Sequence, residues 1–245
     1  MSMAAHSPPC RVYSSNFLED VEQVPLVVIL LNWVLPKETP SLWSRDGGAN
    51  RLYREFPGLV GASGANSPRA QAHVPDAIIG DMDSVDKEVL ELYQGKGSTI
   101  LDLSADQDST DMDKCIQYAR EHMQPGSTVV VAGAHGGRLD HSLGNLSTLH
   151  THRDLDLTLL GDGNLTRLIC AGEALIRPSL RCEGPHCGLI PLCGPTVASS
   201  RGLQWDMDGM QMRMGGLVST CNRIARDEIW VRIDKDCIWT TECKF

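Results

Sequence analysis

Seven aspartates stand in three short blocks: Asp81 and Asp83 in IIGDMDS, Asp106, Asp108, Asp111 and Asp113 in DQDSTDMDK, and Asp140 in GGRLDH. Each block follows an apolar stretch that reads as a strand. In an open α/β sheet the loops after the strand carboxyl ends converge on one crevice. Carboxylates gathered there repel one another unless a cation neutralises them, and hard oxygen ligands suit Mg²⁺ shared with substrate phosphates. The chemistry indicated is a metal–nucleotide site.

The neighbours of these acids support phosphate handling. Gly80 permits a tight turn, and Asp81 and Asp83, two apart, fall on one side of an extended backbone. Gln107, Ser109 and Thr110 can donate hydrogen bonds to phosphate or ribose, and Lys114 follows one turn after Thr110. Asp108 and Ser109 are also good helix caps, which accounts for part of the acidity of that block. In GAHGGRLDH, glycines let backbone N–H groups approach a phosphate at a helix start; Arg138 can fork onto phosphate oxygens, and Asp140 can bind metal or accept a proton. No G-K-[ST] follows, so this is not a Walker loop. A second glycine turn, Asp46, Gly47, Gly48, Ala49, Asn50, Arg51, opens another helix.

Further along, Trp205 offers a flat face for a ring or cationic heterocycle, and Ser219, Thr220 and Asn222 offer polar anchors. By residue type alone, core packing is the stronger expectation for Trp205, because a tryptophan buries so much area. Cys182, His186, Cys187 and Cys193 are near one another in sequence, but no CxxC pair frames them, so thiols in strands are expected rather than zinc.

The elements that must position these groups change character near residue 162. Before it, strands (26–31, 77–79, 98–103, 129–132, 155–160) alternate with helical patterns. The first helix has Ser84 as cap and Val85, Val89 and Leu92 at helical spacing; the second has Ser109 as cap and carries Met112, Ile116, Ala119 and Met123. A third carries the stripe Leu139, Leu143, Leu146, Leu149. That alternation predicts an α/β domain, residues 1–162, with a mainly parallel sheet and helices on both faces. After it, short apolar segments (165–170, 174–176, 188–192, 210–214, 217–219, 229–233, 238–240), divided by Gly, Pro, Asn and Asp, predict an all-β sandwich over residues 163–245. Residues 58–75 read as a long loop.

Lys+Arg number 22 against 31 Asp+Glu, a net charge of −9, which disfavours a nucleic-acid backbone as partner. A Mg²⁺-borne nucleotide is compatible with that charge. The longest apolar run is too short to cross a bilayer. Glu19, Asp20 and Glu22 precede it, unlike a secretory signal. Nine cysteines, an odd number, suit free thiols in a reducing compartment, so a cytoplasmic location is expected.

Taken in order, DGGANRLY, IIGDMDS, DQDSTDMDKC, GGRLDH, GPHCGLIP, GLQW and GLVSTCN resemble thiamin pyrophosphokinases, with spelling close to the plant members. The resemblance implies an enzyme that moves the pyrophosphoryl group of ATP onto the thiamine hydroxyl and releases AMP. It implies a homodimer in which thiamine sits between the catalytic domain of one subunit and the sandwich of the other. Carried over by motif, Asp81, Asp83 and Asp111 would hold Mg²⁺. Gln107, Asp108, Arg138 and Asp140 would position ATP near the Asp46–Asn50 turn, and Trp205, Ser219 and Asn222 would face thiamine. Either Asp140 or Asp83 would take the hydroxyl proton. The chain departs from the pattern before Asp46, where Pro36 and Pro40 interrupt the stretch expected to form a strand, so an inactive binding variant is one alternative. A DxD phosphatase with Asp81 as nucleophile is another.

Overall fold

The computed structural model describes residues 10–19, 25–32, 53 and 74–244. Asp46, Gly47, Gly48, Asn50 and Arg51, the expected gap in the sheet before them and most of the 58–75 loop lie outside the described residues. The described residues are mostly sheet with few helices, and the chain divides into two units: Val21–Asn164, and the N-terminal residues to Asp20 together with Leu165–Lys244.

In the first unit, β2 (Leu26–Leu30), β5 (Thr128–Ala132) and β6 (Asp156–Gly161) run parallel with β5 in the middle. The run Val129, Val130, Val131 is fully buried, as expected for a parallel strand covered on both faces. A separate parallel pair joins β3 (Ala77–Gly80) to β4 (Thr99–Asp102), with Gly80 opposite Asp102, so both strands end at one level. The described residues include the α-helices α1 (Lys87–Gly95), α2 (Asp111–His122) and α3 (Leu139–Thr151), and a 3-10 turn at Asn16–Leu18. Helix α1 buries Val89 and Tyr93; α2 buries Met112, Ile116 and Ala119 and packs against β3 and β2.

The expected caps shift. Asp86, not Ser84, precedes α1, and Thr110, not Ser109, caps α2, accepting the Asp113 N–H at 3.1 Å. Thr110 and Asp113 form the reciprocal T-x-x-D arrangement, with the Thr110 hydroxyl also donating to Asp113 Oδ2 at 2.7 Å. The leucine stripe of α3 is only half inward: Leu149 is buried, whereas Leu139 is 72% exposed and Leu143 is also exposed.

The second unit is built of strands. One set runs β1 (Arg11–Ser14), β8 (Gly172–Arg177), β13 (Ile229–Ile233), β10 (Thr196–Arg201), β11 (Met210–Met212), antiparallel except for the parallel β1–β8 pair. The other runs β12 (Ser219–Arg223), β9 (Glu183–Ile190), β14 (Cys237–Cys243), β7 (Asn164–Ile169). Inward residues of both sets enter one apolar cluster that includes Ile176, Leu189, Ala198, Val231 and Trp239. None of the nine cysteines is assigned to a disulfide. No described helix is long and apolar enough to cross a membrane.

Candidate active site

Because β3 and β4 end together, the loops carrying Asp81–Asp83 and Asp106–Asp111 leave the sheet side by side. Asp81 and Asp83 meet through a turn rather than along an extended strand. Met82 between them has φ 62°, a left-handed conformation uncommon for a bulky side chain, and the Asp83 N–H donates to Asp81 Oδ1 at 3.3 Å. Strain held at such a position is typical of a working site. Asp111 comes to the same place from the first turn of α2. A Cβ added to Gly80 would lie 3.3 Å from Asp111 Oδ1, so a side chain at the strand end would press on that carboxylate.

The three carboxylates act on one another. Asp83 holds its proton more tightly than an ordinary aspartate, first through its hydrogen bond to Asp81 and then through the charges of Asp81 and Asp111. Asp111 is shifted the same way by burial and by Asp81, against the pull of Lys114. Lys114 is only 5% exposed, and its Nζ lies 3.7 Å from Asp111 Oδ1. One ammonium against three carboxylates leaves negative charge in surplus. Among the described residues no three Asp, Glu, His or Cys side chains close into a ready-made metal cage.

The rest of the DQDS loop is engaged in its own architecture. Asp106 Oδ1 accepts from the Asp108 and Ser109 N–H groups at 3.0 and 3.2 Å, and the Ser109 hydroxyl also donates to Asp106. Gln107 Nε2 donates to the Ser104 carbonyl at 2.8 Å. Ser109, Thr110 and Gln107, expected to reach for phosphate, thus shape the loop, while the Asp108 side chain is exposed. Asp113, the remaining acid of this block, lies outside the trio; its Oδ1 is 3.2 Å from His152 Nε2, and Arg120 Nη2 is 3.1 Å from His152 Nδ1. A guanidinium can only donate, so the imidazole accepts at Nδ1 and gives its Nε2 proton to Asp113.

Downstream of β5, Gly133, Gly136 and Gly137 all take positive φ, which lets GAHGGR turn sharply into α3. Gly161 closes that turn from β6: a Cβ there would meet the His135 backbone nitrogen at 2.6 Å. Asn145 of α3 donates to the Ala134 carbonyl at 2.8 Å and ties the helix to the turn. Neither Asn145 nor Gly161 belongs to a recognisable motif, because each acts through backbone contacts made only in the fold. Arg138, the N-cap residue of α3, donates from Nε and Nη2 to the two Asp140 oxygens. This holds the Asp140 carboxyl at about 2. The carboxylate expected to join the other three is therefore governed by its own arginine.

In the β unit, Trp205 is 55% exposed, so core packing does not explain it. Asn222, expected to face a ligand, is buried and clamps the Trp205 backbone instead. Its Oδ1 accepts the Trp205 N–H at 3.3 Å, and its Nδ2 donates to the Trp205 carbonyl at 2.9 Å. Ser219 Oγ lies 3.4 Å from the same amide, and Thr220 is exposed. A bulge between Ser219 and Asn222, with Cys221 at φ 59°, makes this reach possible. Of the residues considered for zinc, His186 pairs with Glu242 at 2.7 Å and Cys187 is buried in β9, pushed up to about 12 by desolvation.

These features define a class: an α/β unit with carboxylates gathered where two parallel strands end, in one chain with a unit of strands that exposes a tryptophan. Two family models match. The thiamin pyrophosphokinase catalytic domain matches residues 35–159, and the thiamin pyrophosphokinase vitamin B1 binding domain matches residues 173–238. The chain belongs to the thiamin pyrophosphokinase family. It is 40% identical to thiamine pyrophosphokinase 1 of Arabidopsis thaliana, over 95% of this chain and 93% of that one. It is 36% identical to thiamine pyrophosphokinase 1 of rice, over 95% and 97%. Among solved structures, thiamin pyrophosphokinase from Candida albicans superposes with a TM-score of 0.80 at 25% identity, covering 98% of this chain and 96% of that one. The yeast enzyme gives 0.78 at 22% identity, covering 95% and 91%, a likeness of fold.

Proposed function

We propose that this chain transfers the pyrophosphoryl group of ATP to the hydroxyl of thiamine, giving thiamine diphosphate and AMP. We read Val21–Asn164 as the α/β catalytic unit and Leu165–Lys244 with the N-terminal strand as a β-sandwich that binds thiamine. The observation that carries the proposal is the trio Asp81, Asp83 and Asp111, whose surplus negative charge calls for a divalent cation where a triphosphate would sit.

Asp81, Asp83 and Asp111 would hold Mg²⁺, which when bound supplies charge neutralisation for the phosphates. Phosphoryl-type transfer asks the protein mainly for in-line positioning and neutralised charge. Lys114 anchors Asp111, and the Asp106-centred loop with Gln107, Asp108, Ser109 and Thr110 gives the phosphate-side rim its shape. Arg138, oriented by Asp140, presents a guanidinium at the start of α3 for phosphate oxygens. Arg138 holds Asp140 in its ionised form, and either Asp140 or Asp83 would take the thiamine hydroxyl proton. Trp205 would stack on the thiamine ring, with Ser219 and Thr220 beside it. We read the protein as a cytoplasmic homodimer, and its net charge of −9 disfavours a nucleic-acid partner.

The test is a coupled AMP-release assay with thiamine and Mg²⁺ each omitted in turn. AMP appearing only when both are present supports the proposal. ADP as product would overturn it, and tight thiamine binding without turnover would mark a binding protein instead.

A further inference from the structure

We infer that Asp206 is a positioning residue that presets the Trp205 indole for its ligand, an inference that rests on reading Trp205 as the thiamine-stacking face. An exposed indole on a loose turn would have to be ordered at binding, at a cost in affinity. Here the turn is ordered in advance from two sides.

Asn222 grips the Trp205 N–H and carbonyl from β12. From within the turn, both Asp206 oxygens accept. Oδ1 takes the Ser200 hydroxyl and the Leu203 N–H, each at 3.0 Å, and Oδ2 takes the Gly202 N–H at 3.3 Å. Ser200 completes the closure, its Oγ accepting the Met207 N–H at 2.9 Å and its own N–H donating to the Met207 carbonyl at 2.9 Å. The turn has nowhere to relax: Gly202 sits at φ 104°, and a Cβ there would meet the Glu228 carbonyl oxygen at 2.7 Å. Leu203 and Met207 on either side are buried in the apolar cluster, so the segment is pinned at both ends while the side chain between them faces out. Asp206 thus holds the residues before Trp205 directly, and the one after Asp206 through Ser200.

Steady-state kinetics of Asp206→Ala, Asp206→Asn and Trp205→Ala test this. Asp206→Ala is expected to raise the thiamine KM about tenfold, with the ATP KM moved less than about twofold and the loss overcome by saturating thiamine. Asp206→Asn, which keeps the oxygen that accepts from Ser200 and Leu203, should recover most of that loss. An asparagine variant as impaired as alanine would mean that charge rather than turn geometry matters, and would overturn the inference. So would an Asp206→Ala variant with unchanged thiamine KM, or one whose ATP and thiamine KM rise together. Should Asp206→Ala not fold, Ser200→Ala decides: a raised thiamine KM upholds the inference, and an unchanged one sinks it. If Trp205→Ala leaves the thiamine KM unaltered, the stacking reading itself is wrong; if it raises that KM while Asp206→Ala does not, only the role of Asp206 falls.

Discussion

Asp83 sits where charge repulsion and function pull in opposite directions. Two neighbouring carboxylates raise its proton affinity, so without a cation its negative charge opposes the fold. Asp83→Asn is expected to reduce turnover by at least about a hundredfold while leaving the melting temperature equal or higher, since it removes a repelled charge rather than a packing contact. A clear fall in melting temperature would mean that Asp83 is structural. The sign of the pH effect follows from the raised values of Asp83 and Asp111. A carboxyl that binds its proton more tightly when folded helps folding as pH falls from above the raised value toward the ordinary aspartate value of about 3.9, and opposes it above that window. Mg²⁺ competes with those protons, so its stabilisation in a melting experiment should be larger near neutral pH than at about pH 5. Equal Mg²⁺ shifts at both would separate the ion from these carboxyls. Asp140, held at about 2 by Arg138, has the opposite sign: its contribution is complete above the ordinary aspartate value and fades only in strong acid.

Helix α2 is the element on which the α/β site depends, because Asp111 and Lys114 both lie in its first turn. Its start is set by the Thr110 cap and by Asp113, which bonds Thr110 on one side and His152 on the other. Thr110→Ala should cost about 1 kcal/mol in denaturant unfolding, whereas Thr110→Ser should cost a few tenths at most. The alanine variant should also raise the ATP KM, since a frayed first turn releases Asp111; an unchanged ATP KM would detach this cap from the site. The period of α2 was legible in sequence because Met112, Ile116 and Ala119 recur at helical spacing. Its cap was misplaced by one residue, because Ser109 and Thr110 are equally good caps and only tertiary contacts choose between them. Strand β10 was invisible for a related reason: its inward positions are Thr196, Ala198 and Ser200, small or polar residues that give no apolar alternation.

At the scale of the whole chain, each unit exposes large apolar residues, and sedimentation at micromolar concentration should find a homodimer; a fully active monomer at that concentration would overturn the homodimer reading. The sequence by itself determined the order of the chemistry: acidic blocks after apolar strands, a glycine turn into a helix, and a late tryptophan among polar anchors. Those signals are local, since strand periodicity, turn glycines and helix starts are written in neighbouring residues. What only the tertiary structure decided is which of the local signals act together. Asp81, Asp83 and Asp111 influence one another because parallel β3 and β4 end at one level and Gly80 leaves room. Asp140 answers to Arg138, Asn222 turns inward to hold a backbone, and β1 joins β8 across more than half the chain. Such pairings depend on distances between residues far apart in sequence. Local pattern constrains those distances weakly, and packing selects among them.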